Sequence, residues 1–331
     1  MSRKPLLISM VIGCIACQWI LAQDDGHIIT VNGTIPANEL GITLMHEHIL
    51  VDFIGADKVS RDHYETDEVF AAALPHLKSL KAEGCQTLVE CTPAYIGRDP
   101  DLFRQLSEAT GLNIITTTGY YGAANDKFVP QHAYEETFNQ LATRWIHEAE
   151  RGIEGTQIKP GIIKIGVDAG PLSEIDEKLV RAAALTHKAT GLTIASHTGD
   201  GVAALEQLDI LRELKVDASA FIWVHAQNEL DTALHILAAN RGAWIEFDGI
   251  NEASINRHVE LVMNMIQHGL LNRTLISQDA GWYHVGEPKG GNYRGYDLLF
   301  TKFIPELKAA GATKSQIRTL LVENPRKVLE I

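Results

Sequence analysis

An excess of positive charge is absent from this chain. It carries 29 lysines and arginines against 42 aspartates and glutamates, and its formal net charge is −13 at pH 7. Because an acidic chain repels the phosphate backbone of DNA and RNA, nucleic acid is not an expected partner.

Cysteine is scarce, with four residues in 331. Two of them lie in the first 22 residues, and the others, Cys85 and Cys91, bracket the apolar run 87–90. If that run is a strand, their Cα atoms lie about 20 Å apart. A disulfide needs less than about 7 Å. The sequence therefore predicts no disulfide between them.

Long hydrophobic runs are absent except at the N-terminus. Residues 6–22 are almost wholly apolar, follow Arg3 and Lys4, and precede a polar segment, which is the layout of a secretory signal peptide. The run is short for a membrane span. We expect cleavage after Ala22, a secreted or periplasmic location, and a single mature domain over 23–331. Loss of the two basic residues changes the net charge from −13 to −15.

Two other outcomes stay open for this N-terminus. Val11-Ile12-Gly13-Cys14 resembles a lipobox, which would make the chain a lipoprotein anchored at Cys14. The other outcome is retention of the leader as a membrane anchor.

The rest of the chain alternates short apolar runs with amphipathic helical segments. Runs that are apolar on both faces, alternating with helices, indicate a parallel sheet, and eight such units indicate an α/β protein with a closed (β/α)8 TIM barrel. A glycine-rich phosphate turn is missing after the first run, which disfavours a dinucleotide-binding open sheet. The predicted strands are 42–46, 87–92, 114–118, 162–167, 192–196, 221–225, 243–247 and 274–279, and the predicted helices are 67–82, 100–110, 135–151, 174–190, 202–214, 229–240, 254–268 and 296–310.

The first predicted strand ends in His46-Glu47-His48. Residues two apart in a strand point to the same side, so the two imidazoles can reach one metal ion while Glu47 faces away. Barrel active sites lie at the carboxyl ends of the strands. Four more metal-binding side chains lie in or at the end of later strands: Lys164, His197, His225 and Asp279.

Lys164 is unusual because it lies between isoleucines in the fourth predicted strand. An ammonium group cannot bind a metal ion, but burial lowers the pKa of a lysine and frees the neutral amine. A neutral amine adds carbon dioxide to give a carbamate, an anion with two oxygens. The sequence therefore predicts an N6-carboxylysine at Lys164 that bridges two metal ions.

The order His-x-His, Lys, His, His, Asp resembles the phosphotriesterase family of the amidohydrolase superfamily over nearly the whole mature chain. The motifs that carry the resemblance are Thr43-Leu44-Met45-His46-Glu47-His48, Ile96-Gly97-Arg98-Asp99, Thr118-Gly119-Tyr120-Tyr121 and Val322-Glu323-Asn324-Pro325-Arg326.

The resemblance implies a binuclear metal centre and its chemistry. His46, His48 and Asp279 would hold the more buried ion, His197 and His225 the more exposed one, and carboxylated Lys164 would bridge them. Zinc is the default ion, and cobalt, manganese or iron suit the same ligands. Two such ions share a water, and the resulting hydroxide attacks the substrate. Asp279 is expected to accept the proton of the attacking hydroxide, and carboxylated Lys164 to bridge the ions. Asp279 and Lys164 are therefore the expected catalytic residues.

The expected substrate is a small molecule with an ester-type bond, namely a lactone, a carboxylic ester or a phosphotriester. Residues 280–296 form a long loop after the eighth strand, whose aromatic residues and glycines suit a mobile wall over an apolar ligand. Trp282 and Arg294 are expected to contact substrate. One of Tyr120 and Tyr121 is expected to hydrogen-bond a substrate oxygen, and the other to pack.

Three alternatives stay open at this point. The same metal centre suits an amide or N-acyl amino acid hydrolase. A catalytically silent barrel would be a binding protein, and a mononuclear deaminase-like relative would not need Lys164. The family resemblance also implies a homodimer, with the segment 51–59 as a candidate edge.

Overall fold

The computed structural model describes residues 26–331, and the predicted leader lies outside them. The strands are β1 (His27–Thr30), β2 (Gly33–Pro36), β3 (Thr43–Val51), β4 (Thr87–Glu90), β5 (Asn113–Ile115), β6 (Thr117–Thr118), β7 (Ile162–Val167), β8 (Ile194–Thr198), β9 (Phe221–Val224), β10 (Trp244–Phe247), β11 (Thr274–Ile276) and β12 (Gly281–His284). The helices are α1 (Thr66–Ala82), α2 (Pro100–Thr110), α3 (Gln131–Glu135), α4 (Phe138–Arg151), α5 (Glu174–Thr190), α6 (Gly201–Glu213), α7 (Thr232–Asn240), α8 (Ile255–Gln267), α9 (Ile304–Ala309), α10 (Lys314–Arg318) and α11 (Asn324–Leu329).

The strands from β3 to β11 form the parallel barrel. β3, β4 and β5 pair in sequence order, and so do β6 to β11. β5 and β6 are two parts of the third barrel strand, interrupted at Thr116. Between the eighth strand and the first, Asp279 N–H donates to the His46 carbonyl at 3.0 Å and His48 N–H donates to the Ala280 carbonyl at 2.9 Å. The predicted (β/α)8 barrel is therefore confirmed.

The helices follow the amphipathic segments because each has a defined beginning and end. The Asp99 side chain caps α2, and Thr137 and Ser173 form capping boxes at the start of α4 and α5. Gly111 and Gly191 end α2 and α5 in the left-handed conformation expected of C-terminal glycines. Among residues 26–331, every helix is too short or too polar to span a bilayer.

A hairpin of β1 and β2 packs against the amino-terminal end of the barrel. Ile28 and Leu40 join a buried cluster with interior side chains of the barrel strands, including Met45 and Ile162. β1 is tied to the C-terminus, since His27 N–H donates to the Ile331 carbonyl at 3.2 Å. This end of the barrel is closed by packing, so the ligand-binding end is the opposite one.

The first barrel strand is longer than the sequence predicts. It runs from Thr43 to Val51, so that His46 and His48 lie in its middle and not at its end. The reason is the additional strand β12, which pairs with it in parallel, with Gly281 opposite His48 and Tyr283 opposite Leu50. The hairpin, β12 and the C-terminal helices α10 and α11 are elements that the sequence pattern did not predict.

Both cysteines of the described chain are free and buried. The Cys85 thiol donates to the Thr87 carbonyl at 3.3 Å, and the Cys91 thiol donates to the Met45 carbonyl at 3.6 Å. Burial raises the pKa of Cys85 to about 12 and raises that of Cys91 well above its ordinary value.

Candidate metal centre

The barrel brings the six predicted metal ligands to one cavity. This cavity has a volume of about 400 Å³ and lies at the carboxyl ends of the strands. Side chains from five different barrel strands converge there although they are far apart in the sequence. The ligands that line it are His46, His48, Lys164, His197, His225 and Asp279.

Three of these side chains form a compact cluster of donor atoms. His46 Nε2 and His48 Nε2 are 3.3 Å apart, and Asp279 Oδ1 lies 3.8 Å from the former and 3.2 Å from the latter. Donor atoms that bind one zinc ion tetrahedrally at about 2.0–2.1 Å lie about 3.3 Å from one another. Within the described chain, no group donates a well-aligned hydrogen bond to the buried Asp279 Oδ1. The spacing of the three donor atoms and the unpartnered Asp279 oxygen both fit a metal site.

The imidazoles of His46, His48 and His197 are held in the neutral form that binds metals. Burial, followed by the charge of Lys164, lowers the pKa of His46 to about 3. Burial also lowers the pKa of His48, and it lowers the pKa of His197 well below its ordinary value. Burial opposes ionisation of Asp279, but the contact with His48 and the neighbouring imidazoles together outweigh burial, and the pKa of Asp279 is lowered. A neutral imidazole and an ionised carboxylate are the metal-binding forms.

The other predicted ligands lie beside this cluster. The rings of His197 and His225 meet edge to face with centroids 4.4 Å apart. The ring centroids of His225 and His46 are 5.0 Å apart. Lys164, on β7, is only 2 % exposed. The Tyr121 hydroxyl lies 2.9 Å from His197 Nδ1 and orients that ring. The six side chains therefore surround one site, in which donor atoms of His46, His225 and Asp279 all lie within 4.8 Å of one another.

Two of the ligands occupy strained backbone positions. Asp279 has a φ of 50° and His225 a φ of 60°, both in the left-handed region that non-glycine residues rarely adopt. Such conformations cost about 1–3 kcal/mol each and concentrate at functional sites. At both positions the chain leaves a barrel strand, and the turn directs the side chain into the cavity.

Asp248 is a site residue that the sequence reasoning missed. It follows β10, and its Oδ2 lies 3.0 Å from His46 Nδ1 while its Oδ1 lies 2.6 Å from His225 Nδ1. One carboxylate thus orients two of the predicted ligands, His46 and His225, and leaves their Nε2 atoms free. Its only sequence signal is an acidic residue directly after an apolar run. Glu246, two residues earlier, lies 3.8 Å from His46 Nδ1, and its Oε1 has no hydrogen-bond partner among the described residues.

His48 has its own supporting side chain. The Thr92 hydroxyl donates to Glu90 Oε1 at 2.6 Å and lies 2.8 Å from His48 Nδ1. Because the hydroxyl proton is used for Glu90, the Thr92 oxygen accepts from His48 Nδ1–H. This tautomer leaves His48 Nε2 free for a metal ion.

Glu47 points away from the cavity, as the alternation of a strand requires. Its carboxylate accepts from Ser277 Oγ at 2.8 Å, Gln278 N–H at 3.0 Å and Ala280 N–H at 2.7 Å. It therefore fixes the segment that carries Asp279.

An aromatic wall covers one side of the cavity. The Trp282 ring lies 4.3 Å from the His48 ring, and its Nε1 donates to the Asp279 carbonyl at 2.6 Å. Phe53 packs 5.5 Å from Trp282, and Phe128 lies 5.7 Å from Phe53. Trp282 belongs to β12, so this part of the expected loop 280–296 is a paired strand.

The structure does not bring all the expected substrate contacts to this cavity. Tyr121 and Trp282 line it, but Tyr120 packs against Trp145 and contacts His132 Nε2 at 3.1 Å, beside a different cavity. Arg294 donates to the Gln278 carbonyl at 2.7 Å and also lies outside. Tyr120 is therefore the packing tyrosine of the pair, and the Arg294 side chain is held outside this cavity by a backbone carbonyl.

Comparisons with known proteins agree with this architecture. The chain is 32% identical to the phosphotriesterase homology protein of Escherichia coli over 296 residues, which is 88% of this chain and 98% of the relative. It is 27% identical to an N-acetyltaurine hydrolase of Dictyostelium discoideum, covering 94% of this chain and all of the relative.

A solved structure shares the fold. The organophosphorus hydrolase from Deinococcus radiodurans aligns with a TM-score of 0.80 and 26% identity, covering 92% of this chain and 96% of that one. The sequence model of the phosphotriesterase family matches residues 26–329. The chain therefore belongs to the phosphotriesterase family.

Proposed function

We propose that this hydrolase contains two divalent metal ions and cleaves an ester-type bond of a small molecule, namely a lactone, a carboxylic ester or a phosphotriester. The observation that carries the proposal is the convergence of His46, His48 and Asp279 on donor-atom spacings of 3.2–3.8 Å. His197, His225 and Lys164 line the same cavity.

The six side chains divide into two ligand sets. His46, His48 and Asp279 would hold one ion, and His197 and His225 the other, with Lys164 bridging them as a carbamate. Zinc is the expected ion, and cobalt, manganese or iron suit the same donors. When bound, the two ions supply a nucleophilic water of lowered pKa and polarise the oxygen of the scissile group.

The protein's own groups prepare the reaction. Asp248 and Thr92 hold the imidazoles of His46, His225 and His48 in the tautomer that binds metal. The carboxylate of Asp279 lies in the cavity and would accept the proton of the attacking water. Trp282 and Phe53 exclude bulk water from one side, and a volume of about 400 Å³ admits only a small substrate.

An amide bond is the second candidate. The relative from Dictyostelium discoideum, similar over 94% of this chain, is named an N-acetyltaurine hydrolase, so the family scaffold is compatible with amide cleavage. The presence of every predicted ligand weighs against a catalytically silent binding protein, and the buried Lys164 weighs against a mononuclear enzyme.

The remaining expectations concern processing and assembly. We propose that the leader directs export and is removed after Ala22, which the mass of the mature N-terminus would test. A homodimer through the segment 51–59 is consistent with the exposure of Phe53 and Ile54, which are 38% and 46% exposed. Sedimentation of the purified protein would test it.

Metal analysis combined with a substrate screen tests the function directly. Protein purified with bicarbonate and zinc should hold about two ions per chain and hydrolyse at least one member of a panel of lactones, aryl esters, N-acyl amino acids and phosphotriesters. A His48→Asn variant should lose metal and activity together. Metal-loaded protein that cleaves no member of the panel would contradict the proposal, and amide cleavage alone would select the second candidate.

A further inference from the structure

The mouth of the metal cavity contains one cationic side chain that the reaction does not use. Apart from Lys164 and the imidazoles, Lys127 is the only basic residue among the described residues that line the cavity. Aromatic and aliphatic side chains form the rest of the mouth around it, including Phe53, Phe128 and Ile96.

Lys127 is held in place but is not neutralised. Its Nζ donates to the Phe53 carbonyl at 2.5 Å and lies 5.4 Å from the centroid of the Phe128 ring. Among the described residues, the hydrogen bond of this ammonium group goes to a backbone carbonyl and not to a carboxylate. An ammonium has three N–H donors, so two remain for a ligand.

The backbone around Lys127 is strained in a way that fixes its position. Ala124, Asn125 and Asp126 have φ angles of 63°, 55° and 61°, three consecutive left-handed residues without a glycine. Such conformations cost about 1–3 kcal/mol each and persist only where surrounding contacts hold them.

Two contacts hold this segment. The carboxylate of Asp168 accepts from Ala124 N–H and Asn125 N–H, both at 2.9 Å. On the other side, Ala56 N–H donates to the Lys127 carbonyl at 3.1 Å. The loops after the first and third barrel strands therefore meet at Lys127, which places its ammonium group at the cavity mouth.

We propose that Lys127 is a specificity-determining residue that binds a carboxylate or sulfonate group at the end of the substrate remote from the scissile bond. This inference rests on the proposed hydrolase function and adds to it the charge of the substrate. A chain with a net charge of −13 repels anions at long range, so an acidic substrate needs a local cation. Lys127 is exposed at the mouth, so the charged end of a substrate can reach it while the scissile group lies inside the cavity.

Matched esters test the proposal. 4-Nitrophenyl hydrogen glutarate and 4-nitrophenyl valerate share a five-carbon acyl chain, and only the first ends in a carboxylate. We expect Lys127→Met to lower kcat/KM for the glutarate ester about twofold to fivefold, as for an ion pair at an exposed lysine, and to leave the valerate ester nearly unchanged. Lys127→Arg should retain most of the preference. Lys58→Met, an exposed lysine of the neighbouring loop, is the matched control.

A binding measurement separates this proposal from the hydrolase function. By calorimetry, metal-loaded wild-type protein should bind glutarate more tightly than valerate, and Lys127→Met should abolish the difference. That result would support anion binding even if neither ester were cleaved, in which case the esterase function alone would fail. Equal effects of Lys127→Met on both esters, or an unchanged preference for the glutarate ester, would overturn the proposed role of Lys127. Hydrolysis of the valerate ester would still support the proposed esterase function in that case.

Discussion

Asp248 and His225 are joined twice, since the carboxylate accepts from the His225 backbone N–H at 3.0 Å and contacts its ring Nδ1 at 2.6 Å. The same carboxylate lies 3.0 Å from His46 Nδ1. One side chain thereby sets the orientation of a proposed ligand to each metal ion. The two proposed ligand sets, the half-site of His46, His48 and Asp279 and the half-site of His197 and His225, therefore depend on the same carboxylate.

Replacement of this support should weaken both half-sites. Asp248→Asn is expected to lower metal affinity about 10- to 100-fold, because a carboxylate that orients a ligating histidine also raises its basicity. Chelator competition followed by metal analysis measures the effect. Glu246→Gln is the matched control, since this carboxyl is equally buried but lies 3.8 Å from His46 Nδ1. Equal metal loss in both variants would show that general disturbance of the strand is responsible.

Loss of Lys164 should remove the bicarbonate dependence of metal binding. Lys164→Met keeps an apolar stem of similar length but cannot form a carbamate. Metal-free wild-type protein should regain metal only when bicarbonate is present, and the variant should remain deficient with or without it. Metal content after dialysis, with and without bicarbonate, reports this directly. If wild-type protein regained the same amount of metal with and without bicarbonate, the result would contradict the proposed carboxylysine.

Tyr121 and Tyr120 provide a neighbouring pair with different surroundings. Tyr121→Phe removes the hydroxyl 2.9 Å from His197 Nδ1 and is expected to reduce metal affinity about tenfold at the half-site of His197. Tyr120→Phe removes a hydroxyl that contacts His132 outside the cavity and should leave metal affinity intact. Titration with cobalt, followed by its visible absorption, compares the two variants, and similar losses in both would argue against the role of Tyr121.

The pair formed by Arg98 and Glu148 should carry much of the stability at the carboxyl end of the barrel. The Arg98 side chain is 1% exposed and makes two hydrogen bonds to Glu148, at 2.8 and 2.9 Å. Glu148→Gln leaves a buried cation poorly compensated and should lower the free energy of unfolding by about 3 kcal/mol. Glu154→Gln, at a carboxylate that is 45% exposed, should cost less than about 1 kcal/mol. Urea unfolding distinguishes these values, and equal losses would contradict the assignment.

His235 should make the fold sensitive to acid. It is fully buried, its Nε2 lies 2.7 Å from the Ala226 carbonyl, and burial lowers its pKa from 6.5. The unfolded chain therefore binds the proton more readily, and stability present above about pH 6.5 is lost as the pH falls. Relative to wild type, His235→Leu should gain up to about 1.4 kcal/mol per pH unit below 6.5. Urea unfolding from pH 7.5 to 5 measures this, with the exposed His268→Leu as control; a constant difference would contradict it.

The barrel and the candidate metal ligands could be predicted because both depend on local sequence patterns. Apolar runs that end in His197 or His225 give both the strand and the place of the ligand. β12 could not be found in this way, because Gly281–His284 is a short strand inside a glycine-rich segment and exists only through its pairing with β3.

The supporting residues were hidden for a different reason. An aspartate after a strand looks the same whether it caps a turn or orients two histidines, so the role of Asp248 depends on a partner 202 residues away in the sequence. Arg294 shows the converse case, because a basic residue in a loop after the eighth strand looks like a substrate contact until its acceptor, the Gln278 carbonyl, is seen.

The alkylation rates of the two buried thiols report how often the structure around each of them opens. Alkylating reagents attack the thiolate, and the raised pKa values of Cys85 and Cys91 keep both thiols unreactive while the barrel is closed. Cys91 borders the metal cavity, whereas Cys85 lies between the end of α1 and the start of β4. The ratio of their labelling rates therefore tells a local opening at the metal cavity from an opening of the whole barrel.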